Sequence, residues 1–139
     1  MKTGKSIAPL AAVFSFCCAL LIAPAARAAE VKQLMAKPLP ELPGKEAVML
    51  EVSYPPGAKD MAHRHDAHAF VYVLEGTIQM QLKDGPLVTL TAGETFYEGP
   101  NDVHVVGRNA SDTEVARFVV VLLKRQGAPV LTPVEGHQP

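Results

Sequence analysis

The chain has 139 residues, of which 48% are hydrophobic and 19% are charged, so it is long enough for one ordinary domain with its own core. Thirteen Lys and Arg residues stand against fourteen Asp and Glu residues. This balance leaves no basic excess. It argues against nucleic acid as a partner and against a basic membrane-binding face.

The first 28 residues have the pattern of a secretory signal peptide. Two lysines among the first five residues precede an apolar run over residues 7–23, and Ala26 and Ala28 frame an A-x-A cleavage site. We expect cleavage after Ala28 and export of the protein, to a periplasm or out of the cell. The mature chain should then begin at Ala29 and carry no membrane anchor.

Removal of this peptide changes the chemistry that the mature chain has available. Cys17 and Cys18 leave with it, so no thiol remains for a disulfide or for a thiolate metal site. Ten Lys and Arg residues and fourteen Asp and Glu residues remain, which gives a net charge of −4. About 111 residues are sufficient for one small core without covalent staples.

The mature sequence divides into an extended N-terminal segment, a strand-rich domain and a tail. Residues 29–45 contain three prolines and predict an extended segment with one short strand near its start, at 31–35. We predict that residues 125–139 form a C-terminal tail. Between them, residues 46–124 alternate short β-branched or aromatic stretches with Gly, Pro, Asn and Asp turn signals. They predict strands at 46–54, 61–65, 69–75, 77–82, 87–91, 95–98, 103–108 and 115–124.

The strand pattern fixes the expected fold class. No stretch of the mature chain keeps a 3.6-residue apolar period, so we predict an all-β domain, either a sandwich or a small β-barrel. A barrel of about eight strands has an interior just wide enough for side chains or for one small ligand.

Three histidines are the strongest candidates for chemistry. His63 and His65 are two positions apart in an extended segment, so their side chains point to the same face. His104 follows on a different predicted strand, 39 residues after His65. If both strands face the interior, three imidazoles can converge. Such a set with vacant positions suits one divalent transition metal, which includes Fe, Mn, Zn, Ni and Cu.

With these residues in place, the sequence resembles the cupins. Their first motif is Gly, five residues, His-x-His, three or four residues, Glu, six residues, Gly, and Gly57, His63, His65 and Gly76 fit it. Their second motif begins with Gly and places a His eleven residues later, as do Gly93 and His104. The resemblance covers residues 46–123. It implies a jelly-roll barrel in which His63, His65 and His104 hold the metal.

The sequence departs from the cupin pattern at the fourth ligand. Ala69 stands where the resemblance implies a metal-binding glutamate. Three alternatives follow: His68 supplies a fourth ligand, Glu98 supplies an oxygen, or the three histidines act with water, as in the cysteine-dioxygenase-like branch of the cupins. Gly99 and Asn101 also replace the Pro and Gly of the second motif.

Two functional hypotheses follow. The first is a metal-dependent enzyme, an oxygen-using dioxygenase acting on a small organic molecule, in which Glu98 and Tyr97 are the candidates for moving a proton. The second is a non-catalytic module that binds or senses a small molecule or a metal. The sequence names neither the substrate nor the metal.

The apolar runs also predict an assembly. Residues 70–74 and 118–123 are apolar on both faces of their strands, whereas a strand with one wet face alternates. Either the N-terminal residues 31–42 or a second subunit should cover the outer face. We predict a homodimer that buries Phe70 or Tyr72.

Overall fold

The computed structural model describes residues 28–134, which form two antiparallel five-stranded sheets. The first sheet has the order β1-β2-β9-β4-β7 and the second has the order β10-β3-β8-β5-β6. The strand bounds are β1 Glu30–Pro38, β2 Lys45–Tyr54, β3 His63–Arg64, β4 His68–Glu75, β5 Thr77–Leu82, β6 Val88–Thr91, β7 Thr95–Glu98, β8 His104–Asn109, β9 Ala116–Arg125 and β10 Thr132–Pro133. The predicted all-β class is therefore confirmed.

Most predicted strands match the observed ones to within a residue or two, and the differences lie at the ends of the chain. The short strand predicted at 31–35 is the longer β1, which pairs along its whole length with β2. The predicted tail contributes β10, whose Pro133 pairs with His63 of β3. The signal-peptide prediction falls on residues 1–28, of which only Ala28 lies within the described part of the chain.

Alternation along the central strands builds the core between the two sheets. In β4, Ala69, Val71 and Val73 are almost fully buried, whereas Phe70 and Tyr72 are about half exposed on the other face. The same alternation runs along β9. Successive side chains of a strand point to opposite faces, so this parity fixes which residues can reach the interior.

A glycine at the end of β4 allows the chain to turn into β5. Gly76 has a φ of 72°, and a Cβ there would lie 2.6 Å from the carbonyl oxygen of Val115. Neither the left-handed backbone nor the space admits a side chain. The strands β4 and β5 belong to different sheets. The core lies between those two sheets.

The strand β1 lies at the edge of the first sheet and all nine of its residues are exposed. It extends the sheet beyond β2 and does not fold over the outer face. The alternative that residues 31–42 cover this face is therefore wrong. Residues 28–134 contain no helix that is long and apolar enough to cross a membrane.

Candidate functional site

A cavity of about 390 Å³ lies between the two sheets, and its wall contains the three histidines of the sequence motifs. His63 of β3 pairs directly with His104 of β8, and their ring centroids are 5.0 Å apart. His65 follows β3, with its ring centroid 4.9 Å from that of His63. The structure thus brings together the three imidazoles that the sequence predicted would converge.

Backbone carbonyls orient two of these rings. The Nδ1 of His63 lies 2.8 Å from the carbonyl oxygen of Met61, and the Nδ1 of His65 lies 2.5 Å from that of Val130. A carbonyl only accepts, so each Nδ1 is the protonated nitrogen and each Nε2 keeps its lone pair. This is the orientation that backbone partners commonly impose on metal-binding histidines.

Glu98 completes the cluster from the opposite sheet. Its side chain is buried, with one carboxylate oxygen 3.8 Å from the Nε2 of His65 and the other 3.7 Å from the Nδ1 of His104. Both distances exceed those of a hydrogen bond. The carboxylate therefore faces the imidazoles across a small gap.

The cluster leaves buried polar atoms without partners. Among the described residues, neither ring nitrogen of His104 has a hydrogen-bond partner, and neither does the Oε2 of Glu98. Most buried polar atoms in native proteins are hydrogen-bonded, because an unpaired one costs free energy. These atoms are of the kind that a bound ion or an ordered water satisfies.

Burial shifts the pKa values of the cluster in opposite directions. It raises the pKa of Glu98 to about 7, with smaller contributions from the negative charges of Asp102 and Asp60. It lowers the pKa of His104 to about 3, assisted by His63. The backbone of Val106 opposes that shift, although it falls short of hydrogen-bond geometry with the ring. Near neutral pH His104 is thus an uncharged imidazole, which is the form that binds metals.

The four side chains do not have the spacing of ligands around one metal ion. Within residues 28–134, no group of three or more His, Cys, Asp or Glu side chains has an arrangement that already forms a metal site. The chemistry of the donors nevertheless suits a transition ion, because three imidazoles and one carboxylate are ligands that Fe, Mn, Zn, Ni and Cu accept.

The strand register places Glu98 beside the position where the cupin pattern has its glutamate. Ala69 of β4 pairs directly with Glu98 of β7 across the first sheet. Both residues are buried, at 0% and 3% exposure. Glu98 therefore presents a carboxylate next to the position from which the cupin glutamate would project.

Two residues that the sequence predicted as part of the site, His68 and Tyr97, lie outside the cluster. His68 is exposed and its Nδ1 lies 2.7 Å from the hydroxyl oxygen of Tyr97. The two rings stack on the outer face of the first sheet. The parity of β4 and β7 places both side chains opposite to Ala69 and Glu98. His68 is thus removed from the ligand set, and Tyr97 from the groups that could move a proton in the cavity.

Two cavity residues were missed by the sequence analysis. The hydroxyl of Tyr54 donates a hydrogen bond to the Oδ2 of Asp60, and both residues line the cavity. The alternation of β2 places Tyr54 on the inner face, so its parity was a usable signal. Asp60 lies in a loop whose sequence carries no such signal.

Comparisons with known proteins agree with this fold. The family model described as "Cupin domain" matches residues 50–122. The chain belongs to the cupin family. No curated protein matches the chain.

Solved structures show the same cupin barrel. An uncharacterized conserved protein with a double-stranded beta-helix domain from Klebsiella pneumoniae superposes with a TM-score of 0.63 at 18% identity, over 82% of this chain and 90% of that one. A cupin-like protein from Thermotoga maritima gives 0.60 at 20% identity, over 76% and 75%. The DMSP lyase DddQ from Ruegeria pomeroyi gives 0.56 at 17% identity, over 65% and 45%. At these identities the likeness shows the fold alone.

Proposed function

We propose that this cupin binds one divalent transition metal through His63, His65 and His104, and that it transforms a small organic molecule in the adjoining cavity. The observation that carries the proposal is the cluster of three imidazoles and one carboxylate in the cavity wall, with unpartnered polar atoms on His104 and Glu98. A bound ion would satisfy the carboxylate oxygen of Glu98 and one of the two ring nitrogens of His104. It would also supply Lewis acidity and open coordination positions for a ligand.

Glu98 is the residue that would move a proton in this cavity. It is the carboxylate nearest to the imidazoles, at 3.7 and 3.8 Å, and its pKa of about 7 lets it accept or donate a proton near neutral pH. Apolar side chains such as Val71, Met80 and Phe118 form much of the surrounding wall. They would exclude water from a bound molecule and orient its apolar body.

The proposed reaction is an oxidation that uses molecular oxygen. Three histidine ligands leave open positions for two small molecules, and a carboxylate that is only loosely engaged leaves room beside them. The alternative is a module that binds its ligand without turnover, which needs the same cavity but no proton carrier.

An oxygen-electrode assay separates these two functions. Protein loaded separately with iron, manganese, copper and nickel is tested with catechol, a flavonol and a thiol. We expect oxygen uptake with at least one combination, and a loss of about tenfold or more in Glu98→Gln. Tyr97→Phe, on the outer face, should retain full activity. If no metal form turns over any compound, the binding module replaces the enzyme.

Export is part of this proposal. The charged start, apolar run and A-x-A site of the first 28 residues support it. Mass spectrometry of the exported protein should find Ala29 as its first residue, and an intact Met1 would contradict export by this route.

The outer face of the first sheet supports a homodimer. Phe70, Tyr72 and Tyr97 are each about half exposed there. With Val119 and Val121 they line a shallow apolar groove. This groove spans three neighbouring strands, β9, β4 and β7.

The charges at the rim of this face favour a second copy over a different partner. Arg117 is held within the chain by Glu51 at 3.2 Å and by Glu75 at 2.9 Å. These rim charges are therefore paired internally and present no single-sign patch for an oppositely charged protein. An apolar centre whose rim charges are paired within the chain is compatible with a twofold interface, in which the same patch of both copies meets.

A further inference from the structure

The cavity contains a second carboxylate that the proposed reaction does not use. Asp60 lines the same wall as the histidines, and it accepts the hydroxyl proton of the fully buried Tyr54 through its Oδ2. Its backbone N–H donates to the carbonyl of Gly107 at 2.8 Å. The backbone of Asp60 is thus held by Gly107 and its carboxylate by Tyr54. Among residues 28–134 its Oδ1 accepts no side-chain hydrogen bond.

Asp60 stands directly beside the histidine cluster. A methyl group placed on Gly107 would lie 3.0 Å from the Cε1 of His104, 3.0 Å from the hydroxyl oxygen of Tyr54 and 3.1 Å from the Oδ2 of Asp60. These three atoms therefore surround one point. A molecule that contacts His104 from the cavity is within reach of the Asp60 carboxylate.

The balance of charge in the cavity disfavours anionic ligands. Asp60 and Glu98 both face it, and Lys59, which is exposed, is the one Lys or Arg among the described residues of its wall. When both carboxylates are ionised, a bound divalent ion brings the sum of these inner charges only to zero. A carboxylate ligand would meet repulsion from Asp60 at short range without a guanidinium to offset it.

We infer that the cavity selects small, uncharged, mainly apolar molecules that carry a hydroxyl group, and that Asp60 is the residue that sets this preference. The Asp60 carboxylate accepts a hydrogen bond from the hydroxyl, and bonds to a charged acceptor are stronger than neutral ones. Apolar wall residues contact the rest of the molecule, and a cavity of about 390 Å³ accommodates a substituted single ring. The inference rests on the proposed function, because it names the substrate class of the same cavity.

The test compares two probes with the same methylbenzene ring, 4-methylphenol and 4-methylbenzoate, by ligand-observed NMR titration near neutral pH. It uses the protein as isolated and the same protein after treatment with a chelator. We expect 4-methylphenol to bind about tenfold more tightly in both. In Asp60→Asn, which keeps an acceptor for Tyr54, the preference should shrink to about threefold or less. Asp84→Asn, in the hairpin between β5 and β6, removes the same charge and should leave the preference unchanged.

Several results would overturn the inference. They are equal or tighter binding of 4-methylbenzoate by the wild type, an unchanged preference in Asp60→Asn, and no binding of either probe at millimolar concentration. The wild-type comparison stands even if Asp60→Asn fails to fold. If elemental analysis finds no metal while the preference and its loss remain, the metal proposal fails and this one holds. If metal is present and the preference is absent, only this inference fails.

Discussion

Glu98 lies directly opposite Ala69 in the antiparallel pair formed by β4 and β7, and both residues face the interior. Directly paired residues on one face of such a sheet have Cβ atoms about 4.5–5.5 Å apart. The carboxylate that the cupin pattern places on β4 is therefore available from the neighbouring strand. In the proposed site, Glu98 would supply the acid from β7 instead of β4.

This relationship predicts a rescue by relocation of the carboxylate. Glu98→Ala should weaken metal binding about tenfold, because it removes the carboxylate that lies nearest to the imidazoles, at 3.7 and 3.8 Å. Adding Ala69→Glu to that variant should restore most of the affinity, since the volume vacated at position 98 lies next to the new side chain. Competition titration with a chromophoric chelator measures both affinities.

Two controls accompany the rescue. Ala69→Glu alone inserts a large side chain at a fully buried position beside Glu98, so it should lower the melting temperature and not improve binding. Glu98→Gln separates the charge from the volume. Affinity of the double variant no better than that of Glu98→Ala would argue that the carboxylate of Glu98 is not a metal-site residue.

Much of this site could be predicted from the sequence, because strand parity is encoded by alternation. The two-residue spacing of His63 and His65 correctly indicated a shared face, and the motif register placed His104 with them. The alternation around Ala69 also indicated that His68 faces outward if Ala69 faces inward. The sequence alone does not determine which face is the inner one, so it leaves His68 as a candidate ligand.

Other features depend on contacts between residues that are distant in sequence. The pairing of Ala69 with Glu98 requires the order of β4 and β7 in the sheet, which no local pattern specifies. The position of Asp60 depends on a hydrogen bond to Gly107 from a loop without periodicity. The orientation of His65 depends on the carbonyl of Val130, in a segment that the sequence indicated only as a tail.

The pKa of Glu98 predicts a pH-dependent stability for the metal-free protein. Its carboxyl group titrates near 4.5 when unfolded and at about 7 when folded. Between these pH values the folded state binds more protons, so this group's contribution to the free energy of unfolding falls as the pH rises through that window. The expected fall is on the order of 3 kcal/mol.

Urea unfolding of chelator-treated wild type and Glu98→Gln between pH 4.5 and about 7 isolates the contribution of Glu98 to the free energy of unfolding. His104 acts in the opposite sense, because its pKa is lowered to about 3 and its contribution rises with pH up to its ordinary value of 6.5. Both proteins retain His104, so the difference between them reports Glu98. A difference that does not change with pH would show that Glu98 is solvated or paired in the folded state.

The apolar outer face of the first sheet predicts that a charged side chain placed there disrupts the dimer. Tyr72→Glu places a carboxylate at the centre of the apolar face, and we expect it to convert a dimer into a monomer at micromolar concentration. Leu87→Glu is the control, because Leu87 is similarly exposed, at 46%, but precedes β6 of the second sheet. Light scattering that finds a wild-type monomer, or a dimer in Tyr72→Glu, contradicts this interface.

The most direct test of the account is the metal content of three purified proteins, measured by elemental analysis after expression with several transition metals in the medium. We expect about one equivalent of a divalent transition metal in the wild type and in His68→Ala, whose ring lies on the outer face. His104→Ala should lose most of it, because His104 contributes both unpartnered ring nitrogens of the buried cluster. A wild type without metal, or an unchanged stoichiometry in His104→Ala, would contradict the proposed site.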